Sequence, residues 1–166
     1  ATFAGTKMQP RPCRKNHLRL PAWDYAQSAA YFITICTQNR SCILSDVRRG
    51  GAQLRPLGRI CEAQIKALEL RYGICVQKYV IMPNHIHLLL TIDRAEQSPA
   101  PTISDMVCAF KSITTKQANQ QENRLHRKIW QRSFYDHVIR NEQDYLEIWK
   151  YIDENPVKWE LDQFYY

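Results

Sequence analysis

Residues 74–92 read ICVQKYVIMPNHIHLLLTI, two apolar runs parted at Met82-Pro83-Asn84. Each run has strand length and is rich in β-branched side chains, and Pro-Asn is turn chemistry. The stretch therefore predicts a β-hairpin, with strands over 74–82 and 85–92. That hairpin decides the fold, because strands joined by so short a turn pair antiparallel.

The flanking segments supply helices to cover such a sheet. Upstream, Pro56 opens a helix whose apolar positions are Leu57, Ile60, Cys61, Ile65, Leu68 and Leu70, and Gly73 ends it. Before it, AAYFITICT (29–37) reads as a buried strand, QNRS as a turn, CIL (42–44) as a short second strand and DVRRGG as a loop. Downstream, DRAEQSPAP is a polar loop. Thr102 or Ser104 then caps a helix running to about residue 120, with Ile103, Val107 and Phe110 on one face. QENRLHRK is a connector, and IWQRSFYDHVIR (129–140) is strand-like in part. The last helix runs from an Asn141 cap to Asn155, where Pro156 stops it. Its buried stripe is Tyr145, Ile148, Trp149 and Ile152. This order predicts an α+β fold, a ferredoxin-like antiparallel sheet with helices packed on it. It divides into a basic arm (1–28), one domain (29–160) and a tail (161–166).

Composition narrows the function. No stretch reaches the ~20 apolar residues of a membrane span, and the first residues lack the apolar core of a secretory leader. Both point to a cytoplasmic protein with no membrane partner. The six cysteines include no C-x-x-C pair, which favours free buried thiols over a zinc cluster. The net charge is +7, and it is unevenly spread. Residues 1–20 carry Lys7, Arg11, Arg14, Lys15 and Arg19 with no acid, and residues 111–140 carry seven Lys/Arg against Glu122 and Asp136. Such clustering suits a polyanion, and nucleic acid is the first expectation.

On a strand, His85 and His87 project to one face and Ile86, Leu88 and Leu90 to the other. Two readings fit the pair. The rings share a metal ion, or each is half-buried and hydrogen-bonded locally. On the last helix, Tyr151 and Asn155 lie one turn apart beside the buried stripe. Alone, each has an ordinary reading, as a core-edge tyrosine and a helix cap. Together they offer a nucleophile and an oxygen ligand. Spacing does not rank Tyr151 above Tyr145 or Tyr135.

The ordered set MPNHIHLLL, WQRSFYDHVIRN and DYLEIWKYIDENPVKW resembles the single-tyrosine HUH transposases, and within them the REP-associated tyrosine transposases. LRLPAWDY and AAYFITICTQNR are similar to the family's N-terminal region, so the resemblance spans Leu18 to Trp159. It implies that His85 and His87 bind a divalent metal, Mg²⁺ or Mn²⁺, with Asn155 as third ligand and Tyr151 as nucleophile. It implies a metal-dependent transesterase that nicks and rejoins single-stranded DNA at hairpin or palindromic elements through a 5′-phosphotyrosine. The partner would be single-stranded or hairpin DNA, and a monomer is favoured over a homodimer. DNA contacts would fall to Arg11, Arg14, Lys15, Arg19, Lys111, Lys116, Arg127, Lys128, Arg132 and Arg140. Trp130, with Phe134 and Tyr135, would stack on bases, while at least one of the three rings would instead pack in the core. The competing functions are a non-catalytic nucleic-acid-binding domain with structural histidines, and a small zinc hydrolase using His85, His87 and a cysteine or acid.

Overall fold

The computed structural model describes residues 28–48, 51–93 and 102–161. Strands are β1 (Ser28–Cys36), β2 (Ser45–Arg48), β3 (Gly51–Leu54), β4 (Cys75–Ile81), β5 (His85–Asp93) and β6 (Tyr135–Ile139). Helices are α1 (Pro56–Tyr72), α2 (Ile103–Gln121) and α3 (Glu142–Glu154).

The main sheet has the order β4-β5-β1-β6, and its neighbouring strands are all antiparallel. With α1 between β1 and β4 and α2 between β5 and β6, the chain traces the ferredoxin-like βαββαβ path. The predicted hairpin forms with a bulge at Gln77, where the register skips from Val76 to Lys78.

Strand alternation splits the core between the two faces. Ile33, Ile35, Ile86, Leu88, Leu90 and Ile92 pack with Leu57, Cys61, Ile65 and Phe110 of α1 and α2. On the other face, Ala30 and Leu89 pack with Tyr145, Ile148, Trp149 and Ile152 of α3. Burying each of those four α3 side chains is worth about 1.5–3 kcal/mol, which fixes α3 against the sheet and so places its other residues. Lys78 on β4 adds a clamp: its ammonium lies 4.2 Å from the centre of the Trp149 ring and pairs with Asp153. Because helices cover both faces, β5 is buried along its length up to Asp93.

The caps follow the sequence. Asn141 accepts a hydrogen bond from the Asp144 N–H at 2.9 Å. Thr102, rather than Ser104, caps α2 by accepting from the Asp105 N–H. Gly73 closes α1 in the left-handed region.

Two local expectations are corrected. Residues 42–44 form no strand, and the stretch read as loop contains the β2–β3 hairpin. Little apolar alternation marks SDVR or GAQL, so the pattern hid it. The backbone at Leu44 is instead used by loops, its N–H donating to Pro83 and its carbonyl accepting from Arg55. Helix α1 approaches that carbonyl so closely that a Cβ at Gly58 would lie 2.2 Å from it. The cysteines also divide. Cys36 and Cys61 are buried thiols, but Cys42 and Cys108 are exposed and Cys75 is disulfide-bonded. Burial pushes the Cys61 thiol up to about 12, so it stays protonated and inert.

Candidate active site

His85 and His87 sit on the α3 face of β5, 0% and 1% exposed. The sheet register explains how each ring is held. Thr34 on β1 lies directly opposite His87, and its hydroxyl meets His87 Nδ1 at 2.8 Å. Asn84, at the end of the turn, accepts from His85 Nδ1 at 2.8 Å through its side-chain oxygen. Asn84 is itself fixed, since its carbonyl takes both the N–H and the hydroxyl of Thr37. With Nδ1 of each ring engaged, Nε2 is the nitrogen each has to offer a ligand.

The two rings are 4.5 Å apart, centre to centre. Burial, and then the nearby His85, hold His87 well below the usual imidazole range. It is therefore neutral near pH 7, the state a metal ligand requires.

The buried stripe of α3 turns Tyr151 toward this pair. Tyr151 is 38% exposed, and its ring lies 5.2 Å from His87 and 6.0 Å, edge-on, from Phe32. Phe32 also stacks on His87 at 5.1 Å. Asn155 is buried as the C-cap of α3. Nε2 of His85, Nε2 of His87 and Oδ1 of Asn155 are among the buried side-chain atoms for which the described residues supply no hydrogen bond. Two imidazole nitrogens and one amide oxygen form a donor set that suits one divalent cation. Tyr145, by contrast, is fully buried with its ring against Trp149, so it has no access to a substrate. Among the described residues, no three His, Cys, Asp or Glu side chains gather to hold a metal.

Sequence reasoning missed Thr34, Asn84, Phe32 and Trp159. Trp159, in a short 3-10 turn beyond α3, packs its ring 5.9 Å from His85. Only its position eight residues after Tyr151 hinted at this. Thr34 became visible only through strand register.

The basic residues divide. Lys111, Lys116, Arg127, Lys128 and Arg132 border one open groove of about 410 Å³. Lys111 is partly committed, donating to the carbonyls of Gln131 and Ser133 at 2.8 Å, and burial lowers its pKa. Arg127 pairs with Glu122 at 2.7 Å and also borders a second groove, with Arg55 and Arg124. Arg140 is exposed at the end of β6, apart from both grooves. Trp130 corrects the stacking assignment: it is 7% exposed, packs on Phe110 and donates to Thr114 at 2.9 Å, so it is core. Phe134 is half-buried and Tyr135 exposed. Arg11, Arg14, Lys15 and Arg19 lie outside the described residues.

Residues 26–155 match the family described as IS200-like transposases, a span holding both histidines, Tyr151 and Asn155. The chain belongs to the IS200-like transposase family. Relatives of this transposase include an uncharacterized Haemophilus influenzae protein, 32% identical over 91% of this chain and 93% of that one. A second Haemophilus influenzae protein, provisionally named a REP-associated tyrosine transposase, is 29% identical over 81% of this chain and 74% of its own. The fold is shared with a REP-associated tyrosine transposase solved bound to a REP hairpin. Its TM-score is 0.62 at 23% identity, with 81% of this chain and 70% of that one covered. A provisionally named transposase from Deinococcus radiodurans matches with a TM-score of 0.53 at 19% identity, covering 80% and 92%. Among the described residues of the transposase, no helix is long and apolar enough to cross a membrane.

Proposed function

We propose that this transposase nicks and rejoins single-stranded DNA beside hairpin elements, with Tyr151 as nucleophile and His85, His87 and Asn155 as the seat of one Mg²⁺ or Mn²⁺. The observation that carries the reading is that the His87 ring touches both His85, at 4.5 Å, and Tyr151, at 5.2 Å. One phosphate can thus meet the ligand cluster and the phenol together. His85, His87 and Asn155 would hold a divalent cation there, which would supply Lewis-acid polarisation of a phosphate oxygen.

The chain's own residues do the rest. Thr34 and Asn84 engage Nδ1 of the two imidazoles, which leaves Nε2 of each to meet a metal. The stripe on α3 holds Tyr151 at the edge of the site, where solvent can take its proton. In the first step the Tyr151 Oη–P bond forms and the P–O3′ bond breaks. The phenol proton is lost and O3′ takes one up, leaving a 5′-phosphotyrosine and a 3′-hydroxyl. Rejoining is the reverse, with another 3′-hydroxyl attacking phosphorus and Tyr151 recovering its proton. One phosphodiester replaces another, so the exchange requires no nucleotide cofactor.

Basic grooves beside Arg127 would carry the DNA backbone, with Lys116, Lys128 and Arg132 in one and Arg55 and Arg124 in the other. The hairpin bound by the solved REP-associated neighbour supports a hairpin as the partner. Since all four site residues come from one chain, a monomer suffices.

Incubation with hairpin DNA and Mn²⁺, resolved on a denaturing gel, tests the reading. A covalent protein–DNA band absent from Tyr151→Phe supports it. Cleavage that survives Tyr151→Phe favours a metal-activated water, and binding without cleavage favours a recognition module.

A further inference from the structure

The histidine pair has an aromatic ring at each end. Tyr151 packs on His87 at 5.2 Å, and Trp159 packs on His85 at 5.9 Å. Trp159 also borders an open cleft of about 470 Å³, lined besides by Val47 from the β2–β3 hairpin, Pro156, Val157, Lys158, Glu160 and Leu161. Val157 and Leu161 are 73% and 84% exposed.

We propose that this cleft receives the base on the 5′ side of the scissile phosphate, stacked on Trp159, so that it binds the strand that leaves with the 3′-hydroxyl. The proposal rests on Tyr151 being the nucleophile. In an in-line displacement the attacking and leaving oxygens lie on opposite sides of phosphorus. Attack from the His87 end sends O3′, and the nucleoside that carries it, toward the His85 end, where Trp159 stands. The cleft suits a base rather than another phosphate. Its lining offers the Trp159 ring together with Val47, Pro156, Val157 and Leu161 as contact surface, and the Lys158 ammonium is already paired with Glu154 at 2.5 Å. A cleft of this volume lies within the range of about 300–1,000 Å³ typical of small-ligand sites. Base–aromatic stacking tolerates many sequences but favours large π-faces, so the site would bias, rather than dictate, the base at the cut.

The test uses the full chain, Mn²⁺ and a pool of DNA hairpins with randomised single-stranded flanks, and sequences the released 3′ ends. Wild type should show a biased terminal base. Trp159→Leu should slow covalent-adduct formation about tenfold or more and flatten that bias, while Trp159→Phe keeps most of both. Mn²⁺ affinity, measured by calorimetry without DNA, should be unchanged in both variants. Wild-type rate and bias in Trp159→Leu would overturn the proposal. So would a matched loss of Mn²⁺ affinity, which would make Trp159 a wall of the metal site. A wild type that forms no adduct with any pool member sinks the reaction itself, and this base site with it.

Discussion

His87 and Thr34 lie directly across the β5–β1 ladder, and the Thr34 hydroxyl meets His87 Nδ1 at 2.8 Å. One cross-strand pair therefore sets the orientation of a ring that also touches His85, Phe32 and Tyr151. Such partners commonly contribute about 10–100-fold to metal affinity. Thr34→Val, nearly isosteric, should weaken Mn²⁺ binding by about that factor while leaving the fold intact. Asn84→Ala should do the same through His85. Calorimetric titration of Mn²⁺ checks both, and unchanged affinity in both variants would contradict the assignment of Nε2 as the ligating nitrogen.

Replacing a ligand should cost more than replacing its support. His87→Gln or His85→Gln should lower Mn²⁺ affinity by more than about 100-fold. Asn155→Ala should fall between the two classes, since a neutral amide is the weakest donor of the set. The same titration ranks them.

Burial holds His87 well below its ordinary value, and that shift sets a pH dependence for the metal-free protein. The unfolded chain binds a proton on this ring near pH 6.5, whereas the folded chain does so only at lower pH. Stability is thus fully present above about pH 6.5 and is lost as pH falls toward the folded value, by at most about 1.4 kcal/mol per pH unit. Thermal melts in EDTA from pH 8 to pH 5 should show a falling midpoint, and His87→Phe should flatten the acidic limb.

Trp130 and its charged neighbours should separate stability from binding. Trp130→Ala should cost about 3–5 kcal/mol of folding stability, because the ring fills core beside Phe110. Lys116→Gln, Lys128→Gln and Arg132→Gln should leave stability nearly unchanged. Each should weaken binding to single-stranded DNA and reduce the log–log salt slope by about 0.7. Denaturant melts and binding isotherms at several salt concentrations measure the two effects. A large loss of DNA affinity in a folded Trp130→Phe would return that ring to base stacking.

Much of this was legible in the sequence because periodicity carries it. Alternation alone put His85 and His87 on one face, and the stripe of Tyr145, Ile148, Trp149 and Ile152 oriented α3. Spacing left Tyr151, Tyr145 and Tyr135 level, and packing then separated the first two, since Tyr145 is sealed against Trp149. The β2–β3 hairpin escaped because an exposed two-stranded ribbon with mixed side chains has no strong period. Thr34, Asn84 and Trp159 escaped because their roles depend on pairing register and on a turn beyond the helix, which local pattern does not encode. Trp130 misled because aromatic and basic residues interleave there, and the sequence does not say which ring faces inward.

The central claim is that Tyr151 is the residue that takes the DNA. The most direct measurement is to trap the protein–DNA adduct formed with hairpin DNA and Mn²⁺, digest it, and identify the nucleotide-bearing peptide by mass spectrometry. A phosphonucleotide on Tyr151, with adduct abolished in Tyr151→Phe and retained in Tyr135→Phe, is the predicted result. Modification of Tyr135 or another residue, or an adduct that persists in Tyr151→Phe, would contradict it.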